Sequence, residues 1–142
     1  MKLNWKYFKL SEFTKSNTAD KLGFFNNPLQ SDINNIDKLV NNILDPLREE
    51  WGSPIIITSG YRVPRLNEAV GGVKNSDHLY GKAADIVPQD PKDFKKFTEF
   101  IKDFLKDKEF KQCIIEKSKS SKWIHISYDP LNNRKQLFYL NK

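Results

Sequence analysis

Residues 76–85 read Ser-Asp-His-Leu-Tyr-Gly-Lys-Ala-Ala-Asp, and they contain one of only two histidines in the chain. Seven residues after His78 comes Asp85, which stands in a short run, Ala83–Val87, that is typical of a β-strand. Aspartate is unfavourable inside a strand, so its presence there calls for a compensating interaction. A bound cation is one such interaction.

The second histidine, His125, lies in the alternating segment Trp-Ile-His-Ile-Ser at residues 123–127. Alternation places Ile124 and Ile126 on one face of a strand and His125 on the other, so His125 faces a cleft if the isoleucines face the core. A catalytic zinc uses about three protein ligands and keeps one position open, and two imidazoles with one carboxylate suit it. Spacing alone leaves open that both histidines are ordinary residues and that Asp85 caps a loop. The chain has no His-Glu-x-x-His helix.

Length and composition limit the class of protein. A chain of 142 residues predicts a single domain, 1–142, able to bury a core without disulfides. The lone Cys113 excludes an internal disulfide and a cysteine-rich zinc site, and it predicts a buried thiol. No apolar run is long enough to span a bilayer, and no apolar region follows the basic start, so neither a membrane span nor a secretory signal is expected.

A net charge of +6 favours anionic partners. The basic residues are scattered among 18 acidic ones and form no compact stripe, so nucleic acid is not expected as a partner. An anionic polymer such as a cell wall suits the charge equally well.

Hydrophobic periodicity predicts two long helices, over 31–51 and 91–106. Ser31 is the expected N-cap of the first, and Pro46 should bend its last turns because it lacks a backbone donor. Phe24 and Phe25 are expected to anchor the N-terminal region in the core. The predicted strands cover 54–60, 83–87, 113–116, 122–127 and an edge segment at 136–140.

These elements predict an α+β fold with a small, mainly antiparallel sheet, helices on one face and the zinc cleft on the other. Arg62 follows the first strand, in a position from which a loop often delivers an arginine to a site. A surface salt bridge is the alternative for Arg62.

The pattern Ser76-x-His78-x-x-Gly81-x-Ala83-x-Asp85 resembles the signature of the M15 zinc metallopeptidases, and all five fixed positions match. This family contains D-Ala-D-Ala carboxypeptidases, dipeptidases and endolysin-type peptidases, and its fold is shared by the Hedgehog signalling domain. Residues 123–127 are similar to its second zinc segment and 59–72 to its arginine loop. Residues 8–13 and 45–48 resemble the small single-domain branch, so the resemblance covers nearly the whole chain.

The resemblance implies a Zn²⁺ cofactor held by His78, Asp85 and His125, with water as the fourth ligand. A carboxylate must then take the proton of the water and pass it to the leaving amine, and Glu116 is the candidate. A surface Glu116 paired with Lys117 or Lys119 is the alternative. Some branches carry the acid three residues before the second histidine, where this chain has Lys122.

By the same analogy Arg62 would stabilise the oxyanion or hold the substrate, and Ser76 would bind substrate or orient its loop. The implied substrate is the peptidoglycan stem peptide, cut by a D,D-carboxypeptidase or an endopeptidase that acts as a monomer. The enzyme would act on the cell wall, in the periplasm or at the cell surface, or stay in the cytoplasm until release as a phage-type lysin. The rival hypotheses are a zinc-binding module without catalysis, which would not need Glu116, and a basic nucleic-acid binder.

Overall fold

The computed structural model describes residues 3–142, so Met1 and Lys2 of the predicted domain lie outside the described residues. Its centre is one five-stranded sheet. The strands are β1 Ile55–Ser59, β2 Ala83–Pro88, β3 Gln112–Lys117, β4 Lys122–Ser127 and β5 Gln136–Asn141.

The sheet has the order β1-β2-β4-β3-β5. The pairs β1–β2, β2–β4 and β4–β3 are antiparallel, whereas β5 runs parallel to β3. The mainly antiparallel sheet and its last edge strand are therefore confirmed. Placing β2 and β4 side by side at the centre of the sheet brings the two segments that carry Asp85 and His125 into contact.

The α-helices pack chiefly on one face of this sheet. They are α1 Leu10–Thr14, α2 Asn17–Leu22, α3 Gln30–Leu39, α4 Asp45–Trp51, α5 Pro64–Ala69 and α6 Phe94–Phe104. None of the helices within residues 3–142 combines the length and apolar character that a membrane crossing requires.

The first long helix is α3 and α4 joined by a π-helical turn, Val40–Leu44. The N–H of Asp45 donates to the carbonyl of Val40, five residues back. This wider turn lies directly before Pro46, whose ring would conflict with the carbonyl four residues earlier in a regular α-helix. The predicted disturbance at Pro46 therefore takes the form of a π turn.

The start of α3 differs from the prediction. The helix begins at Gln30, and the carboxylate of Asp32 accepts the N–H of Leu29 at 2.9 Å. Ser31 lies inside the helix, so its prediction as the N-cap was wrong. An acidic side chain in the first turn fulfils the capping role instead.

The core lies between the helices and the face of the sheet that carries Ile124 and Ile126. Burial of a large apolar side chain contributes roughly 1.5–3 kcal/mol to the stability of the fold. The apolar side chains of this face therefore determine which side of each strand points to the core. Fully buried side chains come from both layers: Phe13, Ile36, Leu39, Ile43, Leu44, Leu47, Ile86, Phe97, Ile101, Leu105, Ile124 and Ile126.

The phenylalanines of the N-terminal region differ in burial. Phe13 is fully buried, whereas Phe25 is 85% exposed, so its prediction as a core anchor was wrong. Phe24 is half-buried and lies under the guanidinium of Arg65, 4.6 Å from its ring centre. Hydrophobicity alone could not separate these phenylalanines; Phe13 lies in α1, whereas Phe24 and Phe25 lie outside the helices and strands.

Buried Asn26 connects this region to the end of β1. Its amide donates to the carbonyls of Thr14 and Tyr61, and its oxygen accepts the N–H of Val63. These three hydrogen bonds hold the segment around Arg62 against the N-terminal helices.

We expect the single thiol, Cys113, to be unreactive in the folded protein. The side chain is buried, and that burial raises the pKa of the thiol to about 12, so little thiolate is available. Labelling with a colorimetric thiol reagent should be slow in native buffer and should reach one thiol per chain in denaturant. Native labelling as fast as that of a free cysteine would contradict the buried position.

Candidate metal centre

Asp85 and His125 are direct cross-strand partners. They face each other in the antiparallel register of β2 and β4, and Asp85 Oδ1 lies 3.1 Å from His125 Nδ1. Opposed residues of an antiparallel pair point to the same side of the sheet. Because Ile124 and Ile126 take the core side, both polar side chains lie on the opposite side, as predicted from the alternation in β4.

His78 reaches the same point from a 3₁₀ turn, Asp77–Tyr80, directly before β2. Its Nδ1 lies 2.6 Å from the carbonyl oxygen of Gly60 and must donate, since a carbonyl only accepts. In the neutral imidazole that a metal requires, the lone pair is therefore on the other ring nitrogen, Nε2, which lies 3.3 Å from Asp85 Oδ1. A hydrogen bond of this kind sets the tautomer and orientation of a metal-binding imidazole.

The backbone around His78 is fixed from two sides. Ser76 Oγ accepts the N–H of His78 at 3.2 Å and caps the turn. A Cβ at Gly60 would lie 2.5 Å from the carbonyl oxygen of Phe13, so only glycine fits where the chain presents its carbonyl to His78. No local sequence pattern indicates this role of Gly60, because it depends on the distant contact with Phe13.

The donor set fits a zinc ion. One ligand atom from each of His78, Asp85 and His125 lies within 4.8 Å of the other two. Zinc bonds of 2.0–2.2 Å in a tetrahedron place ligand atoms about 3.3–3.6 Å apart. The separations of 3.3 Å and 3.1 Å from Asp85 Oδ1 to the two imidazole nitrogens are close to this range.

The charge of Asp85 is maintained by its neighbours. Burial by itself raises the pKa of this carboxyl, but the charges and hydrogen bonds of His78 and His125 outweigh that effect and hold the pKa well below its usual range. Asp85 is therefore ionised near neutral pH, as a metal ligand must be.

Arg62 lies within the site and does not form a surface salt bridge. Its Nη2 is 3.6 Å from Asp85 Oδ2, and its Nε donates to Ser59 Oγ. Its Nη1 donates to the buried Asn67 at 3.1 Å. Burial lowers the pKa of the guanidinium, while the charges of Asp85 and Glu116 act in the opposite direction.

Glu116 faces the same cleft as the cluster. It stands two residues beyond Ile114 of β3, which pairs with His125, so it shares the face of both. Its side chain is buried, and its oxygens contact Trp123 Nε1 at 3.2 Å and Lys142 Nζ at 3.1 Å. The alternative of a surface glutamate paired with Lys117 or Lys119 is therefore wrong.

A cleft of about 460 Å³ joins these groups. A second cavity of about 540 Å³ shares Arg62 and Val70 with it, so open space lies on both sides of the arginine. The structure thus brings all the predicted site residues to one cleft: Arg62, Ser76, His78, Asp85, Glu116 and His125.

A His-Asp-His cluster with two buried members that opens on a cleft with a carboxylate and an arginine is the arrangement of a metal-dependent hydrolase. The profile of the Peptidase M15 family matches residues 6–127, a range that includes every one of these groups. The chain therefore belongs to the Peptidase M15 family, as the resemblance of residues 76–85 indicated. A search of curated proteins found no match.

We expect zinc to stabilise the metal-free protein. At a free zinc concentration 100 times Kd, binding adds about 2.7 kcal/mol, which corresponds to roughly 9 °C in Tm for a chain of this size. Asp85→Asn should remove most of the shift seen in a thermal melt, because it removes the charged ligand. Asp107→Asn, on the exposed surface, should retain the shift. An unchanged shift in Asp85→Asn would contradict the assigned ligand.

Proposed function

We propose that this chain is a zinc-dependent peptidase that cleaves peptide bonds in peptidoglycan stem peptides. Membership of the family supports peptidase activity. The observation that carries the catalytic part of the proposal is the position of Glu116, a buried carboxylate in the same cleft as the His-Asp-His cluster.

In this proposal His78, Asp85 and His125 would hold the zinc ion. When bound, zinc supplies a Lewis acid that lowers the pKa of a coordinated water and polarises the scissile carbonyl. The hydrogen bond from His78 to Gly60 keeps the Nε2 lone pair directed at the cluster.

Glu116 is the general base and later the general acid. It accepts the proton of the attacking water and transfers it to the leaving amine as the peptide bond breaks. The indole of Trp123 donates to one carboxylate oxygen, and the ammonium of Lys142 contacts the other. These two contacts restrict the carboxylate to one orientation, which keeps it available for repeated proton transfer.

Arg62 stabilises the negative charge that develops on the carbonyl oxygen or holds the substrate. Ser59 and Asn67 orient its guanidinium, and a Cβ at Gly72 would overlap with the Asn67 oxygen. Glycine is thus needed at position 72, beside the Asn67 side chain that orients Arg62. The hydroxyl of Ser76 already accepts the N–H of His78, which favours the loop-orienting role for Ser76.

The substrate assignment follows from the family resemblance, the charge and the shape of the site. A net charge of +6 suits an anionic cell-wall polymer, and open space on both sides of Arg62 suits an extended peptide. We propose that residues 1–142 act as one monomeric domain on the cell wall, in the periplasm, at the cell surface or after release as a phage-type lysin.

Replacing the base tests catalysis separately from metal binding. Glu116→Gln should retain about one zinc per chain by metal analysis and lose about 10²- to 10⁴-fold in turnover, because the amide cannot accept the proton. Glu109→Gln, which alters an exposed glutamate outside the cleft, is the matched control and should hydrolyse normally.

Normal hydrolysis by Glu116→Gln would show that another group is the base. A wild-type protein that binds zinc but hydrolyses nothing would favour the zinc-binding module. Tight, salt-sensitive DNA binding without metal would favour the nucleic-acid binder.

The bond that is cut can be identified by mass spectrometry of digested muropeptides. A carboxypeptidase releases single terminal residues, whereas an endopeptidase splits stem peptides or their cross-links. We expect one of these two product patterns with the zinc-loaded protein and neither after chelation. Products that persist in excess chelator would contradict the metal-dependent mechanism.

A further inference from the structure

We infer that Arg134 binds a carboxylate of the substrate, so that the cleft selects peptides with an acidic group near the scissile bond. The inference rests on the proposed function, since it concerns the substrate of the same site. No sequence motif indicated a role for Arg134.

The cationic residues of the cleft differ in their contacts. Arg134 lines the cleft and is exposed. Within residues 3–142 its guanidinium makes no ion pair or hydrogen bond, whereas each of the other cations of the cleft is engaged with an acid. Those pairs are Arg62 with Asp85 at 3.6 Å, Lys111 with Asp77 at 2.9 Å and Lys142 with Glu116 at 3.1 Å.

The backbone that carries Arg134 is held in place. Its own N–H donates to the carbonyl of Asn132, and the next N–H, that of Lys135, donates to Phe110 at 2.9 Å. Lys135 has a φ of 53°, so the chain turns sharply directly after the arginine.

The start of the same connection is anchored by Asp129. Its carboxylate pairs with Lys82 at 3.1 Å, and its N–H donates to the side chain of Asn133. A free charge on a pinned loop binds at a lower entropic cost than one on a mobile loop.

The sheet register places Arg134 across the metal cluster from the base. In β5, Gln136 pairs with Gln112 and Leu140 pairs with Glu116, and the row that contains His125 lies between these two positions. Arg134 precedes Gln136, so it stands at the end of the cleft away from Glu116. A peptide that crosses the cluster can therefore place a carboxylate at Arg134 while its scissile bond lies near Glu116.

A guanidinium binds a carboxylate through two parallel hydrogen bonds, which suits arginine better than lysine for this role. The carboxylate has two possible sources in a stem peptide, the chain terminus and an acidic side chain. Both present the same chemistry to Arg134, and the experiment must separate them.

Four synthetic stem peptides ending in D-Ala-D-Ala test the inference. They carry the terminal carboxylate and the acidic side chain either free or amidated, in all combinations. Arg134→Gln should raise KM, and weaken binding measured by calorimetry with the zinc-loaded protein, about 10- to 100-fold for peptides with the recognised carboxylate. The corresponding amide should bind wild type and variant equally, and Arg134→Lys should recover part of the loss.

Lys135→Gln is the matched control, since its ammonium contacts the carbonyl of Lys106 and does not line the cleft. This variant should behave as wild type with all four peptides. The amide that removes the effect of Arg134→Gln identifies the source: the terminus for a carboxypeptidase, the side chain for an internal acidic residue.

Equal binding of free and amidated peptides by wild type, or equal losses for Arg134→Gln with every peptide, would overturn the inference. Hydrolysis that is independent of both carboxylates would overturn it while leaving the proposed function intact. Carboxylate-dependent binding without hydrolysis would support the role of Arg134 and contradict the proposed function.

Discussion

The structure depends on one cross-strand pair, Asp85 on β2 and His125 on β4. The register that places them opposite each other also places Ile124 and Ile126 in the core, so burial of the isoleucines and assembly of the site are the same structural event. A slip of one residue would turn the isoleucines to the cleft and the histidine to the core. Burial of the isoleucines thus stabilises the geometry of the polar cluster, which attraction between its charges alone would not maintain.

Loops add His78 and Arg62 to this pair, and a glycine or an amide side chain supports each of them. Gly60 offers its carbonyl to His78, and Asn67 orients Arg62 beside Gly72. Buried polar groups are costly unless they are hydrogen-bonded, so these supports stabilise the site as well as aim it. The rigid strands therefore define the centre of the site, and the loops that follow β1 and precede β2 complete it.

Much of the fold and of the site could be predicted from the sequence, because the patterns that indicate them are local. Alternation in β4 assigned the direction of His125, a short β-like run placed Asp85 in a strand, and the tendency of free cysteines to be buried predicted the position of Cys113. Two predictions failed where several local solutions compete. The capping role falls to Asp32, one residue after Ser31, and Phe25 is exposed whereas Phe13 is fully buried. Neither outcome follows from composition, because each depends on which of several nearby residues occupies the capping position or the core site in the folded structure.

The sequence by itself determined the elements, the face of β4 on which His125 lies, and, through the pattern of residues 76–85, the family. Only the tertiary structure decided what surrounds each group: the carbonyl that sets the tautomer of His78, the indole and ammonium that hold Glu116, and the guanidinium of Arg134, which has no ion-pair partner among residues 3–142. The physical reason is that the two kinds of interaction act over different distances along the chain. Periodicity and turn chemistry act over a few residues, whereas hydrogen bonds and ion pairs in the cleft join residues as far apart in the chain as Asp85 and His125.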